Sequence, residues 1–376
     1  MKLIYIHRKE IYKRPPVIST IKYLTELGYT PHVITTAIND IFKNAFAEKA
    51  LPYTVIPFKM GTSIVMNFIK GVLWGLKTKR EVRTIAKKEK VILWIEGNYT
   101  FTSLTPKFIN KYPHILQVQE MPDTQSRKGQ YQLKTLGKIM STALANFSPE
   151  YNRANIYRAL LGLKDTPYVL PNKPAFLPTK DSLMEMGIRY KDIVNKINGR
   201  RVILYQGLLG KERNIGSFIK VIRKLDKGKY VTVLLGKKTP MLDIYKYHDP
   251  NLIHIDYLPA PDYLFITSLA YLGIVSYLPD KLNTIFCAPN KIFEYSAFGI
   301  PMLGNNIPGL KYTIEESGCG LVCDDSSEED IFEKLNVILN NYQKYSENAI
   351  RFFNSVDNKE TIRKALLKIE NKGFDR

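Results

Sequence analysis

The feature that most limits how this chain can fold is an alternation that runs along it twice. Short, near-continuous apolar runs rich in β-branched residues recur between longer stretches of helical character. In the first half they fall at 3–7, 32–37, 53–58, 91–97, 115–120, 145–149 and 168–172. In the second they fall at 202–207, 230–236, 252–258, 271–278, 300–305 and 319–324. A strand that is apolar on both faces belongs in a parallel sheet covered by helices on both sides. The segments between behave as crossover helices: PPVISTIKYLTELGY opens on proline and closes on Gly28. This pattern predicts two doubly wound α/β domains in series, with ligands at the carboxyl ends of the strands in an interdomain cleft. PNKPAFLPTK, residues 171–180, breaks the alternation with three prolines and reads as the linker. The domains are therefore placed at 1–172 and 173–355. Residues 341–371 read as two polar-faced helices, and 356–376 as a terminal helix packing back toward the N-terminal domain.

Composition narrows the class. At 376 residues the chain is too long for one small core, and 45% hydrophobic with 24% charged residues is ordinary for a globular protein. Cys287, Cys319 and Cys323 form neither a disulfide framework nor a four-ligand zinc set, which suits free thiols in a reducing cytoplasm. The N-terminus, MKLIYIHRKEIYKR, has too short an apolar run for a signal peptide. The longest uncharged run, residues 263–279, falls short of a membrane span and reads as a short helix followed by a strand.

Charge is distributed unevenly. Residues 1–200 carry 32 Lys and Arg against 14 Asp and Glu, a net +18; residues 201–376 carry 23 against 21, a net +2. A basic half fits either a polyanionic partner or a solvated lysine-rich surface. Nucleic acid is the weaker partner, because the basic residues lack the interleaved aromatics of a recognised module. Residues 63–90 stand out: Ile64, Phe68, Val72 and Leu76 recur every four residues, and 77–90 then carry seven Lys and Arg against two Glu. Two readings stay open. The stripe either faces the core, or it inserts into an anionic bilayer on the inner face of the cell membrane while the basic block binds headgroups.

Two stretches of the second half carry chemistry. In VILYQGLLGKERNIGSFIKVI a strand ends at Gly207, and Lys211 and Arg213 follow before a helix. Glycine permits close approach of a ligand, and two cations beside a helix start suit a diphosphate. In APNKIFEYSAFGIPML a helix is expected from Asn290, as N-cap, to Phe298, with Gly299 as its stop. Lys291 then sits in the first turn, where a cation opposes the helix dipole unless an anion shares the place. Glu294 lies one turn on and offers two acceptor oxygens to adjacent hydroxyls such as those of a ribose. The plainer reading is an i,i+3 ion pair between the two.

PNKIFEYSAFGIPML resembles the Pro-x-Lys-x-Phe-Glu-Tyr-x-Ala-x-Gly-x-Pro signature of group 1, family 4-like, glycosyltransferases of the GT-B fold. LYQGLLGKERNI is similar to their glycine-containing loop, and VTVLLGK, LPNKP and IPGLKYTIEESGCGLVCDD follow in matching order and spacing. The resemblance is specific over 202–330 and looser over 1–200. It implies two Rossmann-like domains and transfer of a sugar from a nucleoside-diphosphate donor. It further implies retention of configuration, and the basic residues at the diphosphate, with no Asp-x-Asp pair near the cleft, predict that no metal or other cofactor is needed. By it, Lys211 and Arg213 hold the diphosphate, Glu294 the ribose, and loop amides around 288–291 face the phosphates and sugar, with Gly207 and Asn290 lining the same donor site. Two positions depart from the pattern: Leu208 stands where an Arg often follows the glycine, and Phe286 where many members have a carboxylate; Asn283 or Asn290 is the substitute at hand. A sugar-nucleotide 2-epimerase shares the fold, and a non-catalytic nucleotide-sugar-binding subunit would share the site.

The acceptor site is assigned to the first half. Arg8, Lys9, Lys13, Arg14 and Lys22 suit a phosphate-bearing acceptor, whether a glycan or a lipid-linked one. Glu120 lies at an expected strand end, with Asp123 beyond it, and is read as the group that positions or deprotonates the acceptor hydroxyl. Its alternative is a local ion pair. His7 ends the first strand, and the histidines form no metal set.

Overall fold

The computed structural model describes residues 2–371 and 373. Its chain divides into two compact units, Met1–Ala175 with Asp357–Arg376, and Phe176–Val356.

In the first unit seven strands form one sheet, every pair parallel: β1 (Lys2–His7), β2 (His32–Thr35), β3 (Tyr53–Val55), β4 (Val91–Glu96), β5 (His114–Gln117), β6 (Ala145–Ser148) and β7 (Tyr168–Val169), in the order β3-β2-β1-β4-β5-β6-β7. An aromatic row crosses one face: Tyr5 stacks on Trp94, Trp94 on Phe147, and Phe147 leans on Tyr168. Chain and helix cover this row. The Pro15–Glu26 helix starts on prolines whose missing N–H groups cost nothing in a first turn. The Asn358–Glu370 helix sets Ile362, Ala365, Leu366 and Ile369 into the same apolar cluster.

In the second unit six parallel strands follow the same plan: β8 (Arg201–Gln206), β9 (Tyr230–Leu235), β10 (Ile253–Ile255), β11 (Ala270–Val275), β12 (Met302–Asn305) and β13 (Gly320–Cys323), in the order β10-β9-β8-β11-β12-β13. An apolar cluster lies on each side of the sheet. All thirteen strands read from the sequence are present. The edge runs 53–58, 168–172 and 252–258 shorten to β3, β7 and β10, and the interior runs 32–37, 115–120 and 271–278 also stop two or three residues early, at Thr35, Gln117 and Val275. Among the described residues no helix is long and apolar enough to cross a membrane.

Candidate functional site

A doubly wound sheet takes its ligand at the carboxyl ends of its strands, where the strand order reverses. In the second unit that point lies between β8 and β11. β8 ends at Gln206, and the chain turns through Gly207 at a φ of 129°. A side chain here would be strained by the backbone, and it would touch two basic side chains. A Cβ would lie 3.4 Å from Lys291 Nζ and 3.5 Å from Arg213 Nη1. Arg213 closes the short turn Lys211–Arg213, and its guanidinium sits 4.9 Å from the ring centroid of Tyr277, just past β11. Lys211 itself is exposed in the loop, so Arg213 rather than Lys211 meets Gly207 and Lys291.

Lys291 is the second residue of the Asn290–Ala297 helix and only 5% exposed. Its Nζ lies 4.1 Å from the ring centroid of Tyr205 and 5.7 Å from that of Tyr277, with no hydrogen-bond partner among the described residues. Burial holds its pKa well below the usual lysine value, and the charge of Arg213 adds to the effect, while Glu294 opposes it. A buried amine beside the Arg213 cation, walled by two tyrosines, is an arrangement that gains from an arriving anion.

Glu294 is buried one turn along the same helix. Its Oε1 accepts from the Tyr263 hydroxyl at 2.7 Å and its Oε2 from Gln206 Nε2. Gln206 in turn accepts from the Thr267 hydroxyl at 2.7 Å. The simple ion pair with Lys291 is therefore not formed; Glu294 is fixed by neutral partners. Burial raises its pKa, and the bonds from Tyr263 and Gln206, with the charge of Lys291, restrain the rise. A carboxylate has about four acceptor positions, so this one keeps capacity for further donors. One expectation is corrected: Asn290 is not the N-cap. Pro289 holds that place in extended conformation, and Asn290 is the first helical residue. The helix ends at Ala297, and Gly299 follows at a φ of 66°, as a stop requires.

In the first unit the strand order reverses between β1 and β4. His7 ends β1 and Glu96 ends β4; the two are register partners, both buried, with their side chains in direct contact. Next to them the Arg8 amide donates to Thr100 Oγ1 at 2.9 Å, and its guanidinium donates to Ser103 Oγ at 2.7 Å and lies over the Phe58 ring. Lys9 Nζ is 4.7 Å from the ring centroid of Tyr99, and its pKa is lowered by burial and then by Arg14. Of the other expected phosphate ligands, Lys13 pairs with Glu10 at 2.6 Å, Lys22 bonds the Ala175 carbonyl at 2.8 Å, and Arg14 is exposed. Glu120 is exposed in the loop after β5 rather than at the strand end, where its carbonyl accepts from Asn98 Nδ2. Glu96, Tyr205 and Tyr277 were not read from the sequence. Nothing in a linear chain says that β4 lies beside β1, and isolated tyrosines carry no signal. Among the described residues no group of three His, Cys, Asp or Glu could hold a metal ion.

By sequence, no family model and no curated protein matches the chain. In three dimensions it is similar to solved structures along nearly its whole length. HepE of Anabaena, crystallised with UDP-glucose, superposes with a TM-score of 0.70 at 12% identity, over 99% of this chain and all of that one. A glycosyltransferase of Rickettsia africae gives 0.66 at 16% identity, over the whole of both chains. WaaG, a glycosyltransferase of lipopolysaccharide biosynthesis, gives 0.65 at 12% identity, over 96% of this chain and 98% of that one.

Proposed function

With the two-sheet GT-B fold as the premise, we propose that this chain is a glycosyltransferase. It moves a hexosyl group from a nucleoside-diphosphate sugar to an acceptor hydroxyl, with retention, in building a bacterial surface polysaccharide or related glycan. The observation that carries the reading is the buried Lys291 amine, without a hydrogen-bond partner among the described residues, beside Arg213 at Gly207. A donor diphosphate meets both cations there, Lys211 approaches from the loop, and Glu294 and Asn290 face the ribose and sugar. When the bond from the anomeric carbon to the diphosphate oxygen breaks, its electron pair leaves with the diphosphate, and the fixed cations stabilise that charge. They take the part a metal ion plays elsewhere, so transfer needs none. The acceptor oxygen bonds the anomeric carbon, and its proton passes to a base in the first unit. Glu120 is the sequence candidate for that base, and the buried contact between His7 and Glu96 favours this pair as a second. The acceptor is a glycan or a lipid-linked carrier. Retention rests on the resemblance alone, and Phe286 leaves the sugar without the usual carboxylate.

HepE was crystallised with UDP and with UDP-glucose, which makes UDP-glucose the first donor to try. Lys291→Met and Arg213→Met should each remove a charge-assisted contact of roughly 1.5–3 kcal/mol, weakening UDP binding about 10- to 150-fold with the fold intact. Transfer should persist in EDTA. Loss of transfer at unchanged donor affinity in Glu120→Gln, or instead in His7→Gln and Glu96→Gln, identifies the base. Unchanged UDP affinity in the Lys291 and Arg213 variants overturns the site. An isomerised donor makes the enzyme an epimerase, and tight binding without turnover makes it a non-catalytic subunit.

A further inference from the structure

The Ile64–Ala86 helix turns the larger part of its apolar surface outward. It is capped by Ser63, whose hydroxyl accepts from the Met66 amide. Its buried residues are Gly71, Trp74, Gly75, Thr78 and Val82, and they face the rest of the first unit. Ile64 is 88% and Phe68 72% exposed, and Val65, Ile69, Val72, Leu73 and Leu76 are exposed as well. At 3.6 residues per turn, Val65, Phe68, Ile69, Val72, Leu73 and Leu76 fall within an arc of about 140°. Soluble surfaces expose single apolar side chains routinely, but seldom two turns of them in one stripe. Of the two readings open in the sequence, the core-facing stripe is thus excluded: Ile64, Phe68, Val72 and Leu76 all point away from the core.

The same arc continues toward the C-terminus of the helix with a change of chemistry. Arg80, Arg83 and Lys87 lie on it in line with the apolar stripe. Lys79 and Arg83 rest their heads near the Phe108 ring, at 5.8 and 5.5 Å from its centroid. One continuous face is therefore apolar over its first half and cationic over its second.

We propose that this face docks the first unit onto an anionic lipid bilayer, the Val65–Leu76 half entering the acyl boundary and the Arg80–Lys87 half lying on headgroup phosphates. Charge complementarity selects this occupant. A second copy packed antiparallel would lay the cations of each helix on the apolar stripe of the other. A second copy packed parallel would set cation against cation. An anionic bilayer satisfies both halves together, and the net charge of residues 1–175 with 357–376, 33 Lys and Arg against 15 Asp and Glu, or +18, draws the unit toward it. The inference does not depend on the donor site, because docking needs no nucleotide.

The test is co-sedimentation of the full chain with phosphatidylcholine vesicles holding 0 or about 40% phosphatidylglycerol, at low and high salt. Binding should rise at least tenfold with the anionic lipid and fall with salt. The double variant Phe68→Asp with Val72→Asp should lose at least tenfold. Arg80→Glu with Arg83→Glu should abolish the preference for the anionic lipid. Thermal melting and UDP affinity, which must stay unchanged, show that each variant is folded. Without any variant, wild-type protein that ignores anionic vesicles at low salt overturns the proposal. So does equal binding to neutral vesicles, or a concentration-dependent dimer that the aspartate variant dissolves. Loss of UDP binding with docking intact would instead remove the enzymatic reading and leave this one standing.

Discussion

Lys291 is poorly placed as a structural residue. It is buried, it opposes the dipole of its own helix, and the neighbouring charge that acts on it most is another cation. Its pKa is depressed in the folded protein, so the unfolded chain binds the extra proton more readily. Stability contributed by this site therefore rises with pH up to the unfolded lysine value and falls as pH drops toward the folded one. An arriving diphosphate favours the charged amine and draws its pKa back up. Donor binding should accordingly take up a proton and weaken as pH rises. The check is calorimetry of UDP-glucose, whose diester phosphates do not titrate near neutrality, in buffers of different ionisation enthalpy. A buffer-independent heat would show that Lys291 is already charged. Lys291→Met should keep or raise the melting temperature while losing the nucleotide, the signature of a group retained for binding at a cost in stability. At this scale the sequence was readable where a residue type conflicted with its local place, as Lys291 does. It was not readable where the meaning depends on a distant partner. His7 at a strand end is ordinary until Glu96 stands beside it, and Lys211 and Arg213 look equivalent until one turns inward.

Elements were more legible than residues because periodicity and length are local. Buried parallel strands announce themselves as unbroken apolar runs, and prolines or left-handed glycines mark where helices start and stop. What periodicity cannot say is what covers a stripe. Residues 64–76 have a face under either reading, and only the packing of the helix reveals which one. That packing depends on the absence of a side chain. A Cβ on Gly75 would lie 2.2 Å from the Ser103 carbonyl oxygen in the neighbouring Asn98–Leu104 helix, a backbone atom that cannot rotate away. Gly75→Ala should therefore destabilise by about 1–3 kcal/mol despite the better helix propensity of alanine. Gly187, in the Lys180–Arg189 helix, is the contrast: its Cβ would meet only the Phe265 ring at 3.7 Å, an ordinary contact. Gly187→Ala should stabilise by about 0.4–1 kcal/mol. Paired denaturation curves decide both, and stabilisation by Gly75→Ala would refute the close helix contact.

At the scale of the whole molecule, the second unit is an insertion in the first. The chain leaves at residue 175, forms Phe176–Val356, and returns with Asp357–Arg376. The returning helix is tied down by Lys359 to Glu26 at 3.1 Å, Lys368 to Asp165 at 3.0 Å, and Tyr29 to Glu370 at 2.6 Å. Below these surface bonds, Ile362, Leu366 and Ile369 are buried. At about 1.5–3 kcal/mol each, their removal costs roughly 5–9 kcal/mol, comparable to the whole stability of an ordinary domain. A chain ending at Val356 should therefore keep its UDP site but lose cooperative unfolding of the first unit. Two separate thermal transitions, only the lower of which vanishes, would be the readout; an unaltered first transition would show that the helix is dispensable.

This insertion also sets an order in time. A ribosome delivers the seven strands of the first sheet early, yet the helix that seals them comes only after residues 176–356 have been made. At about 5–20 residues per second that interval is roughly 10–40 s. Throughout it the nascent first unit carries an open apolar flank, while the second unit can finish as soon as it emerges. The half of the protein synthesised first is thus the last to mature.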